Sequence, residues 1–356
     1  MKPKNLMLIL VLLIAAAVLS GCGGSAFAAS SWPSLLVEED ISYVSYNQYV
    51  YAINVQDGQM RWRYPEKGEA ARTFYAAPTL TEDGQLIVGS YNGMLYSINP
   101  QTGAENWVFS QARGRFIGAA LAHEDRIYAP SADHRLYALD LSGNEVWRFE
   151  GSRGPLWAKP LLDEERRRIY LPSMDHQLYA IDLANGQLIW NANLNGSLVG
   201  TPVLEDGVLY IGSFASSMSA VNADSGAILW TTPVSNWVWA GPALHEGSLY
   251  FGDLGGSFYS VEAQSGRIIW ETQPNGPVTA TPYAAEETIY FTTEAGVLTA
   301  LNLDGTQQWS QPVGGKIYAN PTPANDLILV SPINTDPLVV GMNLNGTQRW
   351  SFVPPS

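Results

Sequence analysis

A tryptophan recurs eight times along this chain at nearly constant intervals, and a glycine stands four residues before each one. The tryptophans are Trp62, Trp107, Trp147, Trp190, Trp230, Trp270, Trp309 and Trp350, spaced by 45, 40, 43, 40, 40, 39 and 41 residues. The glycines are Gly58, Gly103, Gly143, Gly186, Gly226, Gly266, Gly305 and Gly346. Three or four residues ahead of each glycine lies a small–aliphatic–polar triplet, for example Ala52-Ile53-Asn54, Ser97-Ile98-Asn99 or Ala180-Ile181-Asp182. Self-similarity at a period of about forty residues marks units that bury their faces only against neighbouring copies.

Each unit reads as four short strands. In the fourth these are residues 156–162 with a proline at the middle, 168–172 (RIYLP), 177–182 (QLYAID) and 187–191 (QLIWN). Asp175-His176 and Asn185-Gly186 supply the turns between strands two and three and between three and four, as hairpin chemistry requires. The composition agrees: 33 Gly, 22 Pro and only 15% charged residues suit many strands and tight turns. Four-stranded units stacked radially cover each other and leave only short edges. The expected fold is therefore all-β, an eight-bladed β-propeller with four antiparallel strands per blade, forming one domain over residues 32–356 as a single-chain ring. A solenoid would need polar caps at both ends, and neither end has one. No Trp-Asp dipeptide points to WD40 repeats, and the blade-internal Gly255-Gly256 is isolated, unlike the double glycine of every kelch blade.

Residues 1–21 have the form of a lipoprotein signal peptide. Lys2 and Lys4 precede an uncharged apolar run from Leu6 to Leu19, the length of a signal core and short for a membrane span. Leu19-Ser20-Gly21-Cys22 resembles a bacterial lipobox, in which the cysteine is acylated and becomes the new N-terminus. Cys22 is the only cysteine, so it has no internal disulfide partner, and lipidation accounts for it. Residues 22–31 then form a small-residue tether. The expected location is the bacterial cell envelope, by a membrane anchor at Cys22: the periplasmic face of the outer membrane in a diderm, otherwise the outer face of the cell membrane.

The segment Tyr179-Ala180-Ile181-Asp182-Leu183-Ala184-Asn185-Gly186-Gln187-Leu188-Ile189-Trp190 resembles the tryptophan-docking repeat of the PQQ-repeat (quinoprotein alcohol dehydrogenase-like) β-propellers. The resemblance covers residues 32–353. It implies that the eight repeat tryptophans are structural, each packing flat on the backbone of the next blade; truncating one to Ala would cost roughly 3–5 kcal/mol. One branch of the family comprises PQQ-dependent oxidoreductases of alcohols or sugars, which use Ca²⁺ and, in many members, a vicinal disulfide. No residues here match that site, and one cysteine forms no disulfide, so neither PQQ nor a metal is expected as cofactor. The other is the BamB-like lipoprotein branch of the outer-membrane β-barrel assembly machinery, which shares the lipobox, the length and eight blades without a cofactor. That branch implies a non-catalytic scaffold binding other envelope proteins or peptides.

Function should lie where the blades depart from the repeat. Three residues before the first-strand proline, the even blades carry Tyr75, Trp157, Trp239 and Tyr318, and the odd blades carry Ser30, Ile117, Val199 and Thr279. These aromatics either ring the channel mouth, where they would receive a small ligand or peptide, or alternate large with small between blades as ordinary packing, the plainer reading. Trp237 adds a further aromatic on the loop entering blade six. His134 and His176 follow Asp133 and Asp175 in matching turns, and read as turn residues rather than metal ligands. The charged run 164–168 (EERRR) reads as a solvated turn. Without its leader the chain carries 17 basic and 33 acidic residues, about −16, a balance that repels phosphate backbones and makes nucleic acid an unsuitable partner. No catalytic residue is assigned: no Gly-x-Ser-x-Gly elbow, phosphate loop or EF-hand run occurs, although missing motifs do not exclude an enzyme.

Overall fold

The structure is a computed structural model that describes residues 31–355; the expected signal segment, Cys22 and the tether up to Ser30 lie outside the described residues. Eight antiparallel four-stranded sheets follow one another along the chain, over residues 34–64, 79–109, 121–149, 161–193, 203–233, 243–272, 283–312 and 322–352. These are the eight blades. A two-stranded ribbon pairing Lys316–Ile317 with Pro332–Ile333 is added to the blades, as are single bridges of Phe74 to Asn47 and Ser90. No helix among the described residues is long and apolar enough to cross a membrane.

The repeat motif has a geometric cause. In every blade the third and fourth strands slip register by one residue within the triplet, as between Ala180 and Ile181 or Ala220 and Val221. Such a bulge re-aims the side chains that follow it. The triplet's first residue pairs directly with the tryptophan: Ala52 with Trp62, Ser97 with Trp107, Gly341 with Trp350. A larger residue there would collide with the indole across the ladder. The polar third member closes the turn: the Asp182 carboxylate accepts from the amides of Ala184 and Asn185.

The indole then reaches the next blade. Trp62 covers Gly103, Trp190 covers Gly226, and the series runs through all eight to Trp350, which covers Gly58 of blade one. Gly58 has φ +72°, and a Cβ on it would lie 2.6 Å from Cε3 of Trp350, so only glycine fits. Seven of the indole N–H groups donate to a carbonyl beside that glycine, including Trp230 to Ala263 at 3.0 Å and Trp350 to Val55 at 2.8 Å. Each Gly–Trp pair is thus a socket for the preceding blade and a plug for the following one. The apolar interior is divided likewise into eight clusters, one between each pair of adjacent blades.

The ring closes without strand exchange. Blade one is built wholly from the first four strands and blade eight from the last, so no sheet crosses the seam. Closure rests on side chains: Val44, Tyr51, Ile53 and Val55 pack against Leu327, Leu329, Trp350 and Phe352.

The innermost strands are shorter than the sequence implied. In blade four the strand is Leu161–Asp163, not 156–162, and the fourth strand is Leu188–Asn193, not 187–191. The proline precedes the inner strand because it offers no amide to a ladder. Ahead of it, Trp157 lines the central channel while Leu156 is buried in the core between blades three and four.

Candidate functional site

The loops joining successive blades and the turns between second and third strands share one face. Their backbones are bonded to each other: Leu254 N to Trp237 O at 2.9 Å, Phe214 N to Ser197 O at 3.0 Å. The central channel opens on this face as a cavity of about 210 Å³ lined by residues of all eight blades. Tyr75, Trp157, Trp239 and Tyr318 all line it, together with Ile117, Val199 and Thr279 at the alternate positions. The two-blade alternation therefore lies at the channel mouth, where Trp239 and Tyr318 also pack on the neighbouring blades through Phe214 and Glu294; Ser30 is outside the described residues.

The mouth is capped by a residue the repeat did not single out. Trp32 lies edge-on to Tyr75 and Trp239, at centroid distances of 6.0 and 5.9 Å, and tilted against Tyr318 at 5.5 Å. It occupies the position directly before the first proline, where other blades carry Ala77, Ala119, Thr201, Gly241, Thr281 and Asn320, all of them channel-lining. Sequence alignment of the blades two positions nearer the proline would have found it.

The aromatic surface continues outward on both sides. Trp237, 48% exposed, stacks on Phe214 with centroids 4.9 Å apart and planes 9° apart, and Phe214 meets Trp239 at 5.4 Å. On the other side Tyr75 packs on Tyr91 at 5.1 Å, and the Arg115 guanidinium lies 3.9 Å from the Tyr91 centroid. Tyr318 donates to Glu294 at 2.9 Å, and Glu294 pairs with Lys316 at 2.6 Å. The lysine and the tyrosine hydroxyl hold this carboxyl below the usual glutamate range.

One cation stands at the repeat position that lines the channel in other blades. Lys159 stands where six other blades contribute channel-lining residues, and no carboxylate among the described residues pairs with it. Water reaches the side chain, yet the surrounding walls crowd it, and this desolvation lowers its ammonium below the ordinary lysine range. Beside it, the indole N–H of Trp157 is buried without an acceptor. None of the residues lining the cavity is a carboxylate. A PQQ molecule carries three carboxylates and is used with Ca²⁺, whose ligands are hard oxygens. With no acidic oxygen among the lining residues to meet a Ca²⁺ ion, these residues do not fit that pair, and no redox step is derived from them.

The turn histidines are spoken for by geometry. His134 and His176 have φ values of 72° and 74°, the left-handed turn conformation. Their neighbouring carboxylates fasten loops. Asp133 accepts from Tyr137 Oη at 2.7 Å and Arg113 N at 2.8 Å, and Asp175 from Tyr179 Oη at 2.6 Å and Arg153 N at 2.7 Å. Among the described residues no group of three or more His, Cys, Asp or Glu is placed to hold a metal. In the 164–168 run, Arg166 reaches Asp224 of the next blade at 2.8 Å and Arg168 donates to Ala223 O at 2.8 Å, so it ties blade four to blade five.

A second surface departs from the repeat. On the outermost strands the two residues before the repeat tryptophan are Leu188-Ile189, Ile228-Leu229 and Ile268-Ile269 in blades four to six, 38–52% exposed. The other five blades carry at most one apolar residue there, as in Glu105-Asn106 and Gln307-Gln308. Between blades five and six this ridge borders a groove of about 550 Å³ lined by Leu229, Glu205, Asp206 and Glu262.

The closed ring, its eight indole plugs and the bulged third-to-fourth strand hairpin define an eight-bladed propeller of the PQQ-repeat class. The family model described as outer membrane protein assembly factor BamB matches residues 46–237 and 214–353, and the chain belongs to that family. Among solved structures, BamB from Moraxella catarrhalis superposes with a TM-score of 0.73 at 18% identity, covering 84% of this chain and 93% of that one. The computationally designed Ika8 protein superposes equally well, with a TM-score of 0.73 at 12% identity over 91% of this chain and 96% of its own. These two likenesses establish the fold alone. A search of curated protein sequences gives no match.

Proposed function

We propose that this protein is a lipid-anchored, non-catalytic propeller that scaffolds other proteins of the bacterial cell envelope. The observation that carries the reading is the aliphatic ridge on blades four to six. Six large aliphatic side chains stand in water at the two positions before the repeat tryptophan in three consecutive blades, and a concentration of exposed large apolar side chains on one side of a ring is what a partner protein covers. Carboxylates of the adjoining groove favour a partner that sets basic groups beside its apolar ones. Family membership supports the same reading, as does the lipobox at Cys22, which supplies the anchor. The envelope side follows from that anchor, the periplasmic face of the outer membrane in a diderm cell. The test is to replace Ile228 and Ile268 with Asp. Partner recovery from gently solubilised membranes should be lost with the thermal midpoint unchanged; recovery equal to the parent would refute the ridge as the docking surface.

A second reading, a receptor for a small anion at the mouth, is favoured by Lys159, which stands two residues from the channel-lining Trp157 at a repeat position that other blades turn to the channel. Benzoate, a planar carboxylate, should quench tryptophan fluorescence in the parent but not in Lys159→Met. Identical titrations would end this reading.

A further inference from the structure

We infer that the channel-mouth face of the propeller lies on the bilayer surface, with Trp237, Phe214 and Arg115 at the lipid headgroups. The inference rests on the proposed anchoring at Cys22 and adds an orientation to it. Three independent observations carry it.

The first is where the chain leaves the ring. Ser31 is pinned to the mouth face, its amide donating to Asn47 Oδ1 at 3.1 Å, and Trp32 sits over the channel. Cys22 lies nine residues upstream, a reach of about 30 Å when fully extended. Strands spaced about 4.8 Å apart put the rim about 15 Å beyond the inner strand, and strands of five to six residues add about 20 Å of depth. A path of about 35 Å, before any turn is counted, exceeds the tether. The chain N-terminal to Ser31 thus departs from the mouth face, and the proposed anchor at Cys22 would favour that face or the rim over the far face.

The second is charge. The connections of the mouth face carry eight basic and eight acidic residues, whereas those of the far face carry 16 acidic residues and only Arg166, Arg167 and Arg267 as bases. Several mouth-face carboxylates are turned inward: Asp133, Asp175 and Asp253 accept from Tyr137, Tyr179 and Tyr259. Lys67, Arg113, Arg115, Arg153 and Lys316 are exposed. An acidic protein thus presents its one non-repelling face on the side of its tether.

The third is the aromatic band itself. Trp237, Phe214, Trp239, Trp32, Tyr75 and Tyr91 form a continuous series of ring contacts across this face. Tryptophan and tyrosine are the side chains that settle at the headgroup level, apolar ring inward and polar edge in water.

The test uses the full chain, expressed with its own leader and reconstituted in vesicles of phosphatidylethanolamine and phosphatidylglycerol. Trp237→Cys and Gln264→Cys place nitroxide labels on opposite faces of blade six, and an acylated Cys22 takes no label. Collision with a water-soluble nickel chelate should be several-fold lower at 237 than at 264, and collision with oxygen higher. Equal aqueous exposure at both sites in protein that floats with the vesicles overturns the orientation while leaving the anchor intact. If Cys22 itself takes label, the anchor is refuted. The orientation then stands only if added vesicles still shield the 237 label, and falls if they do not. Shielding at 237 that persists in detergent without lipid means a protein covers the face, which also overturns it.

Discussion

The seam between blades eight and one gives the sharpest stability prediction. Every other blade interface is bridged by a continuous backbone connection, but this one joins the two ends of the ring through side chains alone. Trp350 is its largest contributor, 8% exposed, lying on Gly58 and donating to Val55 O at 2.8 Å. Burial of about 200 Å² of indole at about 25 cal/mol per Å² gives about 5 kcal/mol as an upper figure. Losing the N–H leaves Val55 O unpaired at a further cost of about 1 kcal/mol, while partial collapse of the site returns some of the total. Trp350→Ala should therefore destabilise by about 3–5 kcal/mol in denaturant unfolding. Trp309→Ala, whose indole is more exposed, should cost less. Hydrogen exchange should add a signature: in Trp350→Ala, amides of Ser34–Glu38 and Gln348–Phe352 lose protection ahead of the rest of the ring. A loss under about 1 kcal/mol, or protection that falls uniformly, would refute closure by side-chain docking.

Other consequences can be checked directly. Burial pushes Tyr51, Tyr128 and Tyr137 up to about 12. Their folded pKa lies above the unfolded value, so their stability contribution is complete below about pH 10 and is lost as pH rises toward 12. Tyrosinate absorbance of these rings should appear together with unfolding; separate titration in a still-folded ring would contradict the burial. Burial also opposes ionisation of Asp175, but hydrogen bonds from Tyr179, Arg153 N, Ser173 and Gln177 N outweigh it and hold the carboxyl below the usual range. Its contribution is present above about pH 4 and lost as acid protonates it, so Asp175→Asn should flatten the acid limb of a thermal-midpoint profile; an unchanged limb would count against it. Lys159→Met removes a desolvated, unpaired cation and should leave the thermal midpoint equal or higher; a marked fall would mean that Lys159 has a partner. Trp32→Ala should raise acrylamide quenching of the remaining tryptophans by uncovering the mouth, and no change would show that Trp32 does not cap it.

Most of the fold was legible because it is written eight times. The Gly–Trp spacing set the blade count, and the triplet marked the third strand, since a small residue must stand opposite each indole at the bulge. The inner strands were over-extended because an apolar run such as 156–162 reads the same whether its backbone is in a ladder or on a channel lip. Only the missing amide of Pro160 separates the two. The site was less legible. Tyr75, Trp157, Trp239 and Tyr318 emerged from aligning the blades, but whether they faced a channel or a neighbouring blade depends on the ring's geometry and not on residue type. Phe214 and Tyr91 sit in hairpin turns and meet Trp237 and Tyr75 only because loops from successive blades interleave on one face. The ridge of Leu188-Ile189, Ile228-Leu229 and Ile268-Ile269 looked like ordinary strand interior. Its exposure follows from the fourth strand being the outer edge of each blade.

In the proposed arrangement one face of the ring meets the membrane and the outer strands of blades four to six meet a partner. The most direct test is the mass and composition of the full-length protein extracted from its own membranes, beside the Ile228→Asp, Ile268→Asp variant. The expected result is one envelope protein co-eluting with the parent at a fixed ratio through successive columns, and the variant eluting alone as a folded monomer. A parent that elutes alone, or a variant that keeps the same partner at the same ratio, would contradict it.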